Sequence, residues 1–269
     1  MAAGTINTVV GSGTLITFPT LLAFGYPPVL ANVTSNVGLV PGVVSGVYGY
    51  RAELAGQRDR LRLLGSASVC GGLAGAILLL VLPAAAFKTI VPVLIAIALV
   101  MVVSQPRLAR WVAARQRARD VRTGAGGEAV RESKPGSFGG KAQNQSGADS
   151  SGGTPGPVLW FLVFLTGIYG GYFGAAQGVL LIGLLGIAFN DGLQRVNAAK
   201  NVLAALVNGI AAVVFIVLSH VAWGAAALIA AGSVLGGQIG ARVGRRLPPW
   251  GLRLLIVFVG TVALVKLLV

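Results

Sequence analysis

Eight long apolar runs, near residues 1–24, 28–50, 63–82, 87–103, 158–188, 193–218, 222–243 and 250–268, decide what this chain can fold into. A helix crossing a bilayer needs about 20 predominantly apolar residues, and most of these runs approach or exceed that length. They are continuous rather than alternating, which excludes a membrane barrel of short two-sided strands. Hydrophobic residues make up 55% of the 269 and charged residues only 10%. A soluble domain carries about 25% charged residues, so a water-soluble globule is excluded as well. The reading is an all-α polytopic membrane protein with about eight transmembrane helices.

The charges are concentrated. Residues 104–157 hold nine Lys or Arg and four Asp or Glu, and they are rich in Gly, Ser and Gln without periodicity. Such composition predicts a flexible loop, with a short basic helix over Arg107–Arg122 at the membrane surface. The expected organisation is a first transmembrane unit over 1–103, a loop over 104–157 and a second unit over 158–269. The net charge of +14 does not point to nucleic acid, because the basic residues flank apolar spans and no aromatic-basic module accompanies them.

A shift of 165 residues superposes the two units without a gap. Gly13 meets Gly178, Asn32 meets Asn197, Asn36-Val37 meets Asn201-Val202, and Leu82-Pro83 meets Leu247-Pro248. Four spans per copy is an even number, so the expectation is two parallel repeats, each beginning with a broken helix. The second copy's apolar run starts near Val158, which maps about seven residues before Met1. A first span shortened at its N-terminus is expected, through a late-assigned start or a naturally clipped helix. The opening residues lack a basic region, so no cleavable signal peptide is expected.

On this layout 14 basic residues flank the side of the N-terminus and long loop, and seven the other. The positive-inside rule then puts both termini and the loop in the cytoplasm. Arg242, Arg245, Arg246 and Arg253 stand against that assignment. Lone Cys70, in an apolar Gly-rich run, excludes an intrachain disulfide and reads as packing; His220, between two runs, reads as a loop residue.

Two constellations can carry chemistry. In the first runs of the two copies, Gly11, Gly13 and Pro19, with Asn7 nearby, correspond to Gly170, Gly171, Gly174 and Gly178, with Gln177 among them. Helix breaks inside a membrane expose helix N-termini that bind anions; small residues also serve close helix packing, and both readings stand. In the following run Asn32, Ser35 and Asn36 share one helix face, and Asn197, Lys200 and Asn201 repeat the spacing, with Asn208 three turns on. Amides inside a bilayer face partners or a wet cavity, so these stripes either line a path or knit helices together.

Lys200 is the sharpest single residue. Its mate is Ser35, so one positive charge breaks the repeat, and Asp191 is the only acidic residue nearby in sequence. A cation facing a cavity attracts an anion; a lysine snorkelling to the headgroups is the alternative. No Ser/His/Asp set, zinc motif or phosphate-binding loop is present, so an enzyme is not expected, nor is a cofactor or metal.

Residues 11–36, a Gly-Ser-Gly cluster leading through an apolar run to Pro, then Gly and Ala-Asn-Val-Thr-Ser-Asn, resemble the first-repeat signature of the TauE/SafE sulfite-exporter family. Residues 167–209, with Gly-Ile-Tyr-Gly-Gly-Tyr-Phe-Gly and Arg-Val-Asn-Ala-Ala-Lys-Asn, resemble its second copy. The resemblance spans nearly the whole chain outside 104–157. It implies an inner-membrane permease of typically eight spans, arisen by duplication, that moves sulfite, sulfonates or related small anions. By position Gly11, Gly13, Pro19, Thr34, Ser35 and Asn36 match the first motif, and Gly174, Asn197, Lys200 and Asn201 the second. The first cluster has fewer consecutive glycines than relatives often show, so substrate identity does not carry over.

The expected function is alternating-access transport of a small anion across the cytoplasmic membrane. The expected site is Asn7, Gly11, Gly13, Asn32, Ser35, Asn36, Gln177, Asn197, Lys200 and Asn201. A passive anion channel and a membrane assembly or sensor protein docking a partner through the 104–157 loop are the alternatives. The expected partners are the anion and the lipid bilayer, with no nucleic acid; a homo-oligomer stays open.

Overall fold

The computed structural model describes residues 1–122, 156–189, 191–243, 254, 257–262 and 264. Among the described residues the regular structure is helical throughout: α1 (Ala2–Val9), α2 (Thr14–Ala23), α3 (Pro28–Gly49), a short 3-10 turn (Arg51–Leu54), α4 (Arg58–Val81), α5 (Ala84–Arg122), α6 (Pro157–Tyr172), α7 (Gln177–Ala188), α8 (Leu193–Leu218) and α9 (Trp223–Val243). Five of these, α3, α4, α5, α8 and α9, have a stretch long and apolar enough to cross a membrane. The expected basic helix over Arg107–Arg122 forms the last turns of α5, which run on from the span without a break. The rest of the expected loop, 123–155, lies outside the described residues.

Helix boundaries recur at the interval read from the sequence. The starts of α3 and α8, the starts of α4 and α9, and the ends of α2 and α7 each stand 165 residues apart. Pro28 supplies the first turn of α3 with the fixed φ that suits a helix start.

The orientation of the two copies departs from expectation. The α3 and α8 helices are antiparallel: Asn36 bonds Asn208, Thr34 Oγ1 accepts from the Ala222 N–H just beyond α8, and Tyr50 packs with Ala198 near its start. By contrast α9 runs parallel to α3, with Gly38, Gly42 and Gly49 facing Ile229, Ser233 and Ala241 in turn. The α4 helix likewise runs parallel to α6, Gly71 facing Phe164 and Gly167 and Gly75 facing Ile168 and Tyr172. Helices α3 and α9 therefore begin at one face of the bundle, here called upper, and α4 and α8 begin at the lower face. Corresponding helices point in opposite directions, so the repeats are inverted rather than parallel.

The reason lies in the first run of each copy. A broken helix that continued in one direction was expected; instead the chain turns back. Gly13 sits beside Ala3 and Asn7, so α2 folds against α1. Val163 of α6 packs with Leu181, Ile182 and Leu185 of α7. Each run is a re-entrant helical hairpin that enters and leaves by the same face. Removing one crossing from each copy leaves an odd number, and an odd number inverts the second copy. The α1–α2 hairpin opens on the upper face, while α5 emerges on the lower face toward residue 123. The expectation that the N-terminus and the long loop share a face is thereby corrected; the last residues of the chain lie outside the description.

The copies interlock. The α4 helix packs on α6 and α8, and α9 packs on α3 and α1, so third spans pair with the other copy's first and second elements. Small residues let the backbones approach: at Gly75 an added Cβ would collide with the backbone of Ile168 and Tyr172. Cys70 does not pack inside, as expected of it, but lies exposed on α4. His220 is exposed in the link between α8 and α9.

Candidate functional site

The tips of the two hairpins meet inside the bundle. Residues 10–13 join α1 to α2 and residues 173–176 join α6 to α7. Gly11 takes a left-handed φ of 82° and Ala176, its equivalent 165 residues on, a φ of 61°. The hairpins touch through backbone at the glycines: Gly178 N–H donates to Gly11 O at 3.3 Å, and a Cβ at Gly178 would lie 2.5 Å from Gly11 Cα. Glycine at these two positions is required by the crossing itself.

A helix that stops inside a bundle leaves carbonyl groups without partners. The polar stripes supply donors, each from the opposite copy. Asn32 of α3 donates through Nδ2 to the carbonyl of Tyr172, the last residue of α6, at 2.9 Å. Lys200 of α8 donates through Nζ to the carbonyl of Thr8, near the end of α1, at 3.0 Å. The lysine stem passes Gly178 on the way. Lys200 is 0% exposed, so it does not snorkel to a headgroup. Asp191, its acidic neighbour in sequence, pairs instead with Arg60 and, at 3.1 Å, with Arg195 at the lower face. A cation at a helix C-terminus meets the negative end of the helix dipole, which accounts for one of the ammonium's three donors.

The other expected residues distribute as follows. Asn7 Oδ1 accepts from Gly13 N–H at 3.2 Å and so holds the first tip closed. Ser35 bonds Thr17 of α2, tying α3 to the first hairpin. Asn36 Nδ2 donates to Asn208 Oδ1 at 3.2 Å where α3 and α8 cross. Gln177 opens α7 and packs over Gly170. Asn197 and Asn201 flank Lys200 on α8, and both are buried. The stripes thus meet, though Asn36 meets Asn208 and not its repeat equivalent Asn201. Sequence reasoning left four contributors out of the site. Asn208 shares the α8 stripe, Ser12 stands between the glycines of the first break, and Thr17 is a polar residue in an apolar run, so each carried a signal. Thr8 contributes its hydroxyl, another polar group in an apolar run, and its carbonyl oxygen, for which no side chain gives a sign.

Buried polar atoms normally find partners, and each one left without costs about 1–3 kcal/mol. Here the Oγ of Ser12, Oγ1 of Thr8, Oδ1 of Asn36 and Asn197, Nδ2 of Asn201 and Nε2 of Gln177 are buried without one. These six lie on or beside the hairpin tips and on the two stripes; Tyr172 Oη, Gln57 Oε1 and Ser68 Oγ are the others among the described residues. Around Gly174 the Thr14 hydroxyl and the Asn208 carbonyl also converge, 3.7 and 3.8 Å from where a Cβ would stand. The set is mixed: the amide oxygens of Asn36, Asn197 and Asn208 accept, the amide nitrogens of Asn201 and Gln177 donate, the hydroxyls do either, and the Lys200 ammonium supplies the one positive charge among them. Among the described residues no three His, Cys, Asp or Glu side chains group to hold a metal.

The family model described as sulfite exporter TauE/SafE matches residues 1–267. The chain belongs to this family. It is accordingly a multi-pass membrane protein of a sulfite-exporter family, consistent with its five membrane-length apolar helices. No curated protein and no solved structure matches the chain.

Proposed function

We propose that this TauE/SafE member carries a small oxyanion, sulfite or a sulfonate first, across the bacterial inner membrane by alternating access. The observation that carries the reading is the buried Lys200, bonded across the two copies, together with six of the nine partnerless buried polar atoms among the described residues, which lie on or beside the hairpin tips and on the two stripes. Gln57 and Ser68 hold partnerless atoms elsewhere, so the reading rests on the concentration of such atoms around a buried cation; a site that receives a polar solute satisfies them on binding. The site is Lys200 with the amides of Asn32, Asn36, Gln177, Asn197 and Asn201, Ser35 through its bond to Thr17, and the tips held by Asn7, Gly11 and Gly13.

The architecture among the described residues is two inverted repeats, each opening with a re-entrant hairpin. One hairpin reaches the site from each face, so opening either one admits solute from that side. This follows the pattern of transporters built on inverted repeats with midplane sites. A permanently open channel fits less well, because Lys200, Ser35 and Ser12 are wholly buried. The lower face carries Arg51, Arg58, Arg60, Arg62, Arg107, Arg110, Arg195 and Arg242, while of the described basic residues only Lys88 stands near the upper face. The positive-inside rule makes the lower face cytoplasmic, and the arginines that opposed a parallel arrangement now join the majority. The test is flux of labelled sulfite, sulfate, a sulfonate and chloride into proteoliposomes. Saturable flux of one anion, lost in Lys200→Met, is expected; no flux of any of them in the wild type overturns the reading.

A further inference from the structure

Near the lower face a groove of about 610 Å³ lies between α5 and α7. Its walls are Met101, Val179, Leu180, Leu184 and Ile187, and Gly183 adds depth because it has no side chain. It runs for about 12 Å along α7 at 1.5 Å per residue, and its volume falls in the ~300–1,000 Å³ range of ligand sites. Its wall is apolar, and its mouth is not: Ser104 and Arg107 stand one and two turns below Met101 on the same face of α5. Arg110 follows one turn on, exposed, with its Nε donating to the Pro106 carbonyl. Neither arginine pairs with an acidic group among the described residues. Between 107 and 122 the sequence carries six arginines against the single acid Asp120.

We propose that this groove holds an anionic phospholipid, one acyl chain lying between α5 and α7 and the phosphate resting on Arg107 and Arg110. An apolar slot serves a hydrocarbon chain and offers nothing to a free anion. A cation at the interface end, where α5 leaves the membrane, meets a phosphate at headgroup depth. Basic pockets between helices on the cytoplasmic side select anionic headgroups in this way. The bound chain would stiffen the α7 arm of the second hairpin, whose tip touches Gly11. The assignment does not depend on which anion is transported.

The test uses the full chain purified in detergent, with binding read by native mass spectrometry and thermal unfolding. Phosphatidylglycerol is expected to stay bound as a single copy and to raise the unfolding midpoint, while phosphatidylcholine and glycerol phosphate do neither. The double variant R107E/R110E, and separately Leu184→Trp, which fills the groove, should weaken phosphatidylglycerol binding at least tenfold. The control R58E/R62E, on the same face but outside the groove, should keep it. Equal retention of phosphatidylcholine overturns the proposal, as does an equal effect of glycerol phosphate alone or full binding in R107E/R110E.

Discussion

Lys200 Nζ lies 3.0 Å from the Thr8 carbonyl oxygen, joining the second span of one repeat to the interrupted first helix of the other. The bond caps a helix end, worth at most about 2 kcal/mol in a partly buried setting. Taking an ammonium out of water costs several kcal/mol, and one carbonyl does not repay that. A merely structural capping role is therefore a poor reason for a lysine here. Lys200→Met should leave the unfolding midpoint within a few degrees of wild type, or raise it, while sulfite flux falls at least tenfold. Unchanged flux in a folded Lys200→Met protein removes this residue from the site.

The Asn36–Asn208 bond spans the crossing of α3 and α8. Interhelical side-chain bonds in membranes couple by about 0.6 kcal/mol on average and up to about 1.7. A double-mutant cycle with alanine at both positions should give a coupling in that range by reversible unfolding. Asn36→Ala should also lower flux further than Asn208→Ala, because Asn36 Oδ1 is one of the buried atoms without a partner. Zero coupling would mean that the pair does not form.

Two of the left-handed tip residues, Ala176 and Gly11, should respond oppositely to exchange. Ala176 holds φ 61° with a Cβ in place, a strain of about 1–2 kcal/mol that glycine relieves in part. Ala176→Gly is expected to stabilise by about 1 kcal/mol after the entropy cost of a more flexible unfolded chain. Gly11→Ala adds the same strain and drives a methyl into Gly178, with overpacking worth a further ~1–3 kcal/mol. Chemical denaturation in detergent should separate the two signs.

These tips also show what could be read from the chain and what could not. The spacing of 165 residues, the long spans and the polar stripes were legible, since burial in lipid forces apolar continuity and amides stand out against it. Reversal at the tips was not. Glycines near 11 and 174 inside an apolar run look alike whether the helix resumes its direction or turns back, because both paths need small residues and left-handed backbone. The direction shows only in which residues touch, as when Gly13 returns to Ala3. One such ambiguity per repeat changes the number of crossings from even to odd, and so inverts half of the molecule.

That inversion is open to direct measurement. With Cys70 replaced by serine, cysteines at His220 and Gln194, both exposed beyond or near the ends of α8, provide the probes. In the inverted arrangement residue 194 lies at the lower, cytoplasmic face and residue 220 at the upper, external one. In a parallel arrangement of eight crossings the two exchange places. A membrane-impermeant maleimide added to intact cells should label the 220 variant at once and the 194 variant only after lysis. Labelling of residue 194 in intact cells, with residue 220 protected, would overturn the inverted fold with its lower face inside. A parallel arrangement would also part Arg60, on the side of the N-terminus, from Asp191 and Arg195 on the opposite side, against the ion pairs that join the three.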